Sequence, residues 1–386
     1  MGAFIGGNNM FSKGSLSFQK IAWGTSLLSM AAVLLLSGCS GGKQQAEPTP
    51  APVVEAPVEQ PVEVPEEETS SPYKAPLTGL PLEASLTQRP LAVMINNAPA
   101  ARPQSGLGQA DMVYEVLAEG GITRLIGIFQ SQSDIEKIGP IRSIRPYLIN
   151  LGESYGGVLV HAGGSPEAYS IIQKQGKQDM DEIGNAGAYF WRAKDRKAPH
   201  NLYSSDEKLR EGAAKLNYGN DVKVPEYSFY PEAIAASADG EEGTEPVEVV
   251  SGEAAEKVEI KFLLDSYVVD YQYDGSSNTY KRSINGSPHV DLNDNVQLEA
   301  ANVIVLGADH KVLDDVGRLA VNVEAGGEAM LFQRGEVIKG QWVRAAGDAI
   351  RFVKDGKEVP LVPGTTYFNI VPNTPSFESH VTISNP

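Results

Sequence analysis

Apolar residues follow different patterns in the two halves of this 386-residue chain. In the first half, short apolar runs predict strands at 91–97, 111–118, 123–130 and 156–162. Other segments carry apolar residues at helical spacing, and Ser165 and Ser204 precede two of them as helix caps do. We therefore predict that 76–231 forms an α+β or α/β N-terminal domain with a mixed sheet.

The second half is a succession of short strand-like runs separated by Gly or Asp-Gly turns. This pattern predicts a β-rich, antiparallel C-terminal domain at 257–386, either a sandwich or a barrel-like meander. The stretch between the halves, 232–256, is acidic and rich in alanine and glycine, so it is a linker or an insertion loop. We expect the two domains to be separable bodies.

The N-terminal segment has a different character. Lys13 and Lys20 precede an apolar run that ends in small residues, and no acidic residue occurs before Glu47. A basic start, a short apolar run and a small-residue end predict a signal peptide at 1–38. Residues 40–75 are rich in proline and glutamate, which predicts a disordered, extended spacer.

Cys39 is the only cysteine of the chain and directly follows this run. The sequence Leu-Ser-Gly-Cys at 36–39 resembles the bacterial lipobox, which implies that Cys39 is diacylated and becomes the first residue of the mature protein. Two acyl chains hold a soluble domain to a membrane, where one chain holds it only marginally. With Cys39 so used, no thiol remains for a disulfide, a nucleophile or a metal site.

The formal net charge is −17, which argues against nucleic-acid binding. The five histidines form no metal-ligand pair at helical spacing, and we find no complete nucleotide-binding motif, so we predict no cofactor and no metal. The sequence His-Val-Asp-Leu-Asn-Asp at 289–294 could bind a cation by its residue types, but a surface turn explains it better.

Charged residues cluster around a predicted hairpin. If Gly120 and Gly121 form a two-residue loop, Glu115, Glu119 and Arg124 share one face of the hairpin. Charge pairing explains this arrangement, and a functional role for Glu115 as an acid or base explains it as well, because Glu115 lies between apolar residues.

Arg142 and Arg145 lie at or just before the start of a predicted helix. A helix N-terminus carries partial positive charge, so two arginines there require compensation. Structural salt bridges would supply it, and so would a bound phosphate or carboxylate.

Two further segments supply candidate residues. His161 ends a strand and is followed by a glycine pair and by Ser165, a turn that suits ligands because backbone N–H groups point outward there. Ser165 is better explained as a helix cap than as a nucleophile. Residues 190–205 contain His200 among arginines and aromatic residues, and they fit a pocket wall and an exposed loop equally.

Long strings of the sequence resemble the YerB family of bacterial lipoproteins. The N-terminal strings are RPLAVMINNAPAARPQSGLGQADMVYEVLAEGGITRLIGIFQSQ, IGPIRSIRPYLINL and VHAGGSPEAY, and the C-terminal ones include YKRSINGSPHVD and GEVIKGQWVR. The resemblance implies a two-domain lipoprotein at the outer face of the cytoplasmic membrane, chiefly of Gram-positive bacteria, and it implies no reaction.

Two functions stay open at this point. The first is a binding or scaffold protein for an anionic envelope polymer or a protein partner, attached to the membrane through Cys39, with Arg142, Arg145, His161 and Ser165 as ligand-binding residues. The second is a cell-wall-active enzyme that uses Glu115 with His161 or His200.

Overall fold

The structure is a computed structural model that describes residues 71–231 and 249–385. All of these residues belong to one compact unit. The predicted signal peptide, Cys39, all but the last residues of the spacer, and most of the acidic stretch lie outside the described residues. Within the described ranges, no helix has the length and apolar character needed to cross a membrane.

Residues 71–231 contain nine strands and three α-helices. The strands are β1 Tyr73–Lys74, β2 Pro81–Leu82, β3 Leu91–Asn96, β4 Met112–Leu117, β5 Thr123–Phe129, β6 Val158–His161, β7 Asp179–Asp181, β8 Trp191–Arg192 and β9 Leu202–Tyr203. The helices are α1 Pro146–Glu153, α2 Pro166–Gln175 and α3 Asp206–Lys215. Ser165 caps α2 as predicted, whereas α3 is capped by Ser205 instead of Ser204.

The second half is built of strands. They are β10 Glu253–Ala254, β11 Lys257–Lys261, β12 Val268–Asp274, β13 Thr279–Ile284, β14 Ser287–Pro288, β15 Glu299–Ala300, β16 Asn302–Ala308, β17 His310–Val312, β18 Leu319–Val321, β19 Gly327–Gln333, β20 Glu336–Val343, β21 Arg351–Lys354, β22 Lys357–Glu358, β23 Thr366–Pro372 and β24 Val381–Ser384. Most pair in antiparallel fashion, in agreement with the predicted β-rich domain, but β16 and β23 are parallel.

One twelve-stranded sheet runs through both halves. Its order is β22-β21-β20-β19-β16-β23-β4-β5-β3-β6-β7, with β10 attached to β20. Strand β23 of the second half pairs in parallel with β4 of the first, so that Tyr367 lies opposite Val113. The expectation of two separable bodies is therefore wrong, because each half completes the sheet of the other; the exact domain boundaries stay predictions.

The first half has a mixed sheet, in which β3, β6 and β7 are parallel and β3, β5 and β4 are antiparallel. With three helices against nine mostly short strands, it is not clearly an α/β domain. Strands β3, β4 and β5 are buried along their whole length because both faces of the sheet are covered. Residues from both halves enter the hydrophobic core on each face.

The hairpin of β4 and β5 has a different register from the one predicted. Its loop has three residues, Glu119–Gly121, in which Gly120 and Gly121 both take positive φ values of 65° and 74°. Arg124 consequently lies opposite Val116. A shift of one residue moves a side chain to the other face of a sheet, so Arg124 and Glu115 lie on opposite faces and do not pair.

Candidate functional site

The candidate site lies where the parallel strands β3 and β6 end. The chain from Gly139 to Arg145 runs between these ends: the backbone N–H of Arg142 donates to the Met94 carbonyl at 2.8 Å, and the N–H of Ala162 donates to the Arg142 carbonyl at 3.1 Å. The N–H of Ile144 donates to the carbonyl of Gly163. Carboxyl ends of parallel strands are the usual place for ligands in open sheets.

A pocket of about 370 Å³ opens beside this segment. Its charged residues are Arg142, Arg192 and Glu182, and the turn of Gly163 and Gly164 forms part of its wall. We call this pocket, together with the neighbouring Arg124 and Arg145, the arginine pocket. Residues 190–205 supply part of the wall, so this segment is more than an exposed loop.

Arg142 has no counter-ion within residues 71–231 and 249–385. Its side chain is half-buried, and among the described residues it makes no ion pair and no side-chain hydrogen bond, while its Nε is buried without a partner. Burial lowers the pKa of Arg142, and the positive charges of Arg145 and Arg192 lower it further, against the opposing effect of Glu119. A guanidinium in this position has an excess of positive potential around it.

Arg124 is buried near Arg142 and Arg145 and also lies in a region of excess positive potential. One of its Nη atoms donates to the Ser143 carbonyl, whereas its Nε has no partner among the described residues. Burial, followed by the charge of Arg145, lowers the pKa of Arg124 to about 10, and Arg142 adds to this effect. No carboxylate of the described residues forms an ion pair with Arg124.

Arg145 and Arg192, by contrast, are paired. Arg145 is the residue that precedes α1, and its guanidinium bonds to Glu119 and to the Ile144 carbonyl. Burial acts to raise the pKa of Glu119, but the hydrogen bond and the charge of Arg145 lower it overall. Arg192 holds both carboxylate oxygens of Glu182, at 3.1 and 3.2 Å.

His161 and Ser165 flank the turn of Gly163 and Gly164. His161 is fully buried, with Nε2 3.1 Å from the Asp179 carboxylate and Nδ1 2.9 Å from the Gly163 carbonyl. The Asp181 carboxylate accepts the Gly163 N–H at 2.8 Å. The Ser165 hydroxyl accepts the N–H of Ala168, so its oxygen is used as a helix cap. Neither side chain lines the pocket.

His200 lies beside Arg142. Its Nδ1 is 2.9 Å from the side-chain amide of Asn96, at the end of β3. Burial and then the charges of Arg142 and Arg196 lower the pKa of His200. Arg196 itself is tied to the backbone, because it donates to the carbonyls of Ala101 and Pro103 at 2.6 Å.

Glu115 lies elsewhere. Its carboxylate is fully buried, forms a 2.7 Å salt bridge with Arg282, and accepts hydrogen bonds from Tyr267, Thr123 and Asn97. Its strand is three positions from β6 in the sheet, which is roughly 14 Å at the usual strand spacing. The structure therefore does not bring Glu115 and His161 together as an acid–base pair.

The residues that contact Glu115 were not predicted from the sequence. Arg282 is buried between Tyr280 and Ile284 on the inward face of β13. Its place in the alternating apolar pattern of this strand was the one sequence feature that could have indicated a buried arginine. Arg282 also donates to Tyr271 and to His289, whose other nitrogen meets Gln104. We call Glu115, Arg282 and the side chains that hydrogen-bond to them the interior clasp, since these residues come from both halves.

The 289–294 segment ends in a turn at 292–294, where Asn293 and Asp294 are exposed, and its first residues are part of this junction. His289 and Asp291 are buried, and the Asp291 carboxylate accepts the N–H groups of Gly106 and Gly108 at 3.0 and 2.9 Å. Across the described residues, no group of three or more potential metal-ligating side chains comes together.

Comparison with known proteins identifies the family. Residues 77–219 match the N-terminal domain of a protein family of unknown function, DUF3048, and residues 258–368 match its C-terminal domain. The chain is 37% identical over 307 residues to "Putative lipoprotein YerB" of Bacillus subtilis, covering 79% of this chain and 88% of that protein. This chain belongs to the YerB-like family.

The crystal structure of Bacillus subtilis YerB has the same fold. It is 36% identical in sequence, with a TM-score of 0.71, and the match covers 81% of this chain and all of that one. The resemblance found in the sequence is confirmed, and a two-domain organisation fits the two matched domains. The name of the relative describes a lipoprotein and states no ligand.

Proposed function

We propose that this protein is a lipid-anchored envelope protein that binds an anionic ligand in the arginine pocket. Cys39 would attach it to the outer face of the cytoplasmic membrane, and an anionic envelope component would be the ligand. The observation that carries the proposal is the guanidinium of Arg142, which has no counter-ion among the described residues, in a pocket whose other lining arginine, Arg192, is paired with Glu182.

The charges favour an anion for a simple reason. Four arginines meet in this region, and the two acids near them, Glu119 and Glu182, are already paired with Arg145 and Arg192. Arg124 and Arg142 are left with positive charge that is partly removed from water. A phosphate or carboxylate fits the planar guanidinium and relieves the mutual repulsion of the two arginines.

Thermal unfolding in the presence of anions tests this function. Phosphate should raise the melting temperature of the purified full-length protein at constant ionic strength, because a ligand that binds only the folded state adds about 2.7 kcal/mol at a hundredfold excess over Kd. Arg142→Gln and the Arg142→Gln/Arg145→Gln double variant should fold and lose this response.

Arg318→Gln is the matched control. Arg318 is partly exposed, and in the part of the chain that the structure describes its only ion pair is with Asp314, so its loss should leave the phosphate response unchanged. If phosphate gives no more stabilisation than chloride of equal ionic strength, or if the Arg142 variants respond like the wild type, the proposed function is wrong.

The membrane anchor has a separate test. We expect Cys39→Ala to abolish acylation, so that the protein accumulates in the unprocessed form or leaves the membrane fraction. Mass spectrometry of the N-terminal peptide should find a diacylglyceryl group on Cys39 of the wild type. A wild-type peptide without this group would contradict the anchor and leave the arginine pocket unaffected.

A further inference from the structure

The arginine pocket has both charged and apolar lining residues. Arg142, Arg192 and Glu182 are charged, and Ile183, Ile141 and Leu202 are apolar. Ile141 and Leu202 are buried, whereas Ile183 is 71% exposed, more than any other large apolar side chain of the described residues. An anion held by Arg142 would therefore have an apolar surface beside it.

The position of Ile183 is fixed by the same network that fixes the glycine turn. The Asp181 carboxylate accepts the N–H groups of both Gly163 and Ile183, at 2.8 and 3.1 Å. A side-chain carbon added to Gly163 would lie 3.2 Å from Cδ1 of Ile183, so the isoleucine lies directly over the turn. Tyr169, which also lines the pocket, donates its hydroxyl to Asp181 at 2.8 Å.

A single exposed isoleucine has no meaning by itself, since many apolar side chains remain at protein surfaces. This one differs because the pocket that it lines also contains the buried residues Ile141 and Leu202 and the cation Arg142, which has no counter-ion among the described residues. The volume of about 370 Å³ also lies within the roughly 300–1,000 Å³ of pockets that hold organic ligands. The pocket thus offers room and apolar contact that a free inorganic anion would leave unused.

We infer that the arginine pocket recognises an amphipathic anion, namely a phosphate ester whose first apolar carbons lie against Ile183 while its phosphate meets Arg142. This inference rests on the proposed function and specifies its ligand class. A small soluble ester and a lipid with a terminal phosphate share this chemistry.

Binding of a short series of esters tests the inference. Methyl phosphate and butyl phosphate are titrated into the full-length protein by calorimetry. Each fully buried methylene contributes about 0.8 kcal/mol, or about fourfold in affinity. The three additional methylenes of butyl phosphate, which are partly buried here, should tighten binding by about tenfold.

Two variants test the apolar contact and the charged contact separately. Ile183→Ser should bring the ratio of the two affinities to about one and change methyl phosphate binding by less than about twofold, whereas Arg142→Gln should weaken both esters alike. Val343→Ser is the control: Val343 is an exposed aliphatic residue on β20, seven strand positions from β6, and its loss should leave the ratio unchanged.

The outcomes distinguish the two proposals. Equal affinity for both esters in the wild type, or an unchanged ratio in Ile183→Ser, overturns the apolar contact and leaves the anion site standing. Binding of neither ester overturns the proposed function. Detergent micelles doped with phosphatidic acid, compared with micelles doped with phosphatidylcholine, then show whether a lipid-borne phosphate stabilises the protein as the soluble ester does.

Discussion

The interior clasp and the arginine pocket both contain a buried arginine, but only the charges of the clasp are balanced. Arg282 meets the carboxylate of Glu115 and the hydroxyl of Tyr271, whereas Arg142 meets no described counter-ion. A charge removed from water is tolerated where partners replace the water, and it is costly elsewhere. The difference teaches that pairing, more than burial, separates a charge that is compensated within the fold from one that is left available to a ligand.

The largest effect is expected from separating the halves, because the clasp draws its counter-ions from both. Residues 76–231 produced alone would leave Glu115 without Arg282 and the edge of β4 without β23. We expect this fragment to show no cooperative unfolding transition in circular dichroism. Co-production with residues 249–386 should restore the transition, and a fragment that unfolds cooperatively alone would contradict the shared sheet.

A smaller but still large effect is expected from one side of the clasp. Glu115→Gln leaves Arg282 buried and uncompensated, which should lower the free energy of unfolding by about 3–5 kcal/mol in urea titrations. Glu259→Gln is the control, since its ion pair with Lys257 is exposed and worth about 0–1 kcal/mol. If both substitutions lowered the free energy of unfolding equally, Glu115 would not be the required counter-ion of a buried Arg282.

The pH dependence of stability sharpens the same comparison. Burial, and then the charges of Arg282 and Arg102, hold the pKa of His289 well below its ordinary value of 6.5. At pH values below 6.5, His289 of the unfolded chain binds a proton that His289 of the folded protein does not. The free energy of unfolding should therefore fall with decreasing pH, by about 1.4 kcal/mol per pH unit for this one residue. Urea midpoints between pH 7 and 5.5 should show the loss.

The variant His289→Gln should flatten this dependence. His310 is half-buried and its pKa is lowered as well, chiefly by burial, so part of the slope should persist. An unchanged slope in His289→Gln would mean that His289 is protonated in the folded protein.

The smallest effect is expected at Arg142. Removal of an unpaired, half-buried cation breaks no described bond, so Arg142→Gln should change the free energy of unfolding by no more than about 0.5 kcal/mol without ligand. A loss of 2 kcal/mol or more in urea titrations would reveal a structural role and would make the two regions alike.

Local features of the fold were predictable from the sequence. The apolar runs at 91–97 and 123–130 became β3 and β5, and Ser165 became the cap of α2, because these features depend on neighbouring residues. The register of the β4–β5 hairpin was not predictable from the glycine pair alone, since Gly120 and Gly121 also allow a loop of three residues.

Contacts between residues that are distant in sequence could not be predicted from local patterns. Glu115 and Arg282 are separated by 167 positions, and nothing near either residue identifies the other. For the candidate site, the sequence predicted the cations Arg142 and Arg145 near the helix start and the turn at Gly163. It did not predict Arg124 as their neighbour, because the predicted register had placed Arg124 beside Glu115.

The parallel pair of β4 and β23 has a consequence for how the chain reaches its fold. Synthesis proceeds from the N-terminus, and β4 is complete about 250 residues before β23, its neighbour from Thr366 to Pro372. Contacts so distant in sequence form slowly, and an open strand edge invites pairing with other chains in the meantime. The emerging N-terminal half should therefore depend on a protecting factor, such as a holdase chaperone, until nearly the last residues of the chain have appeared.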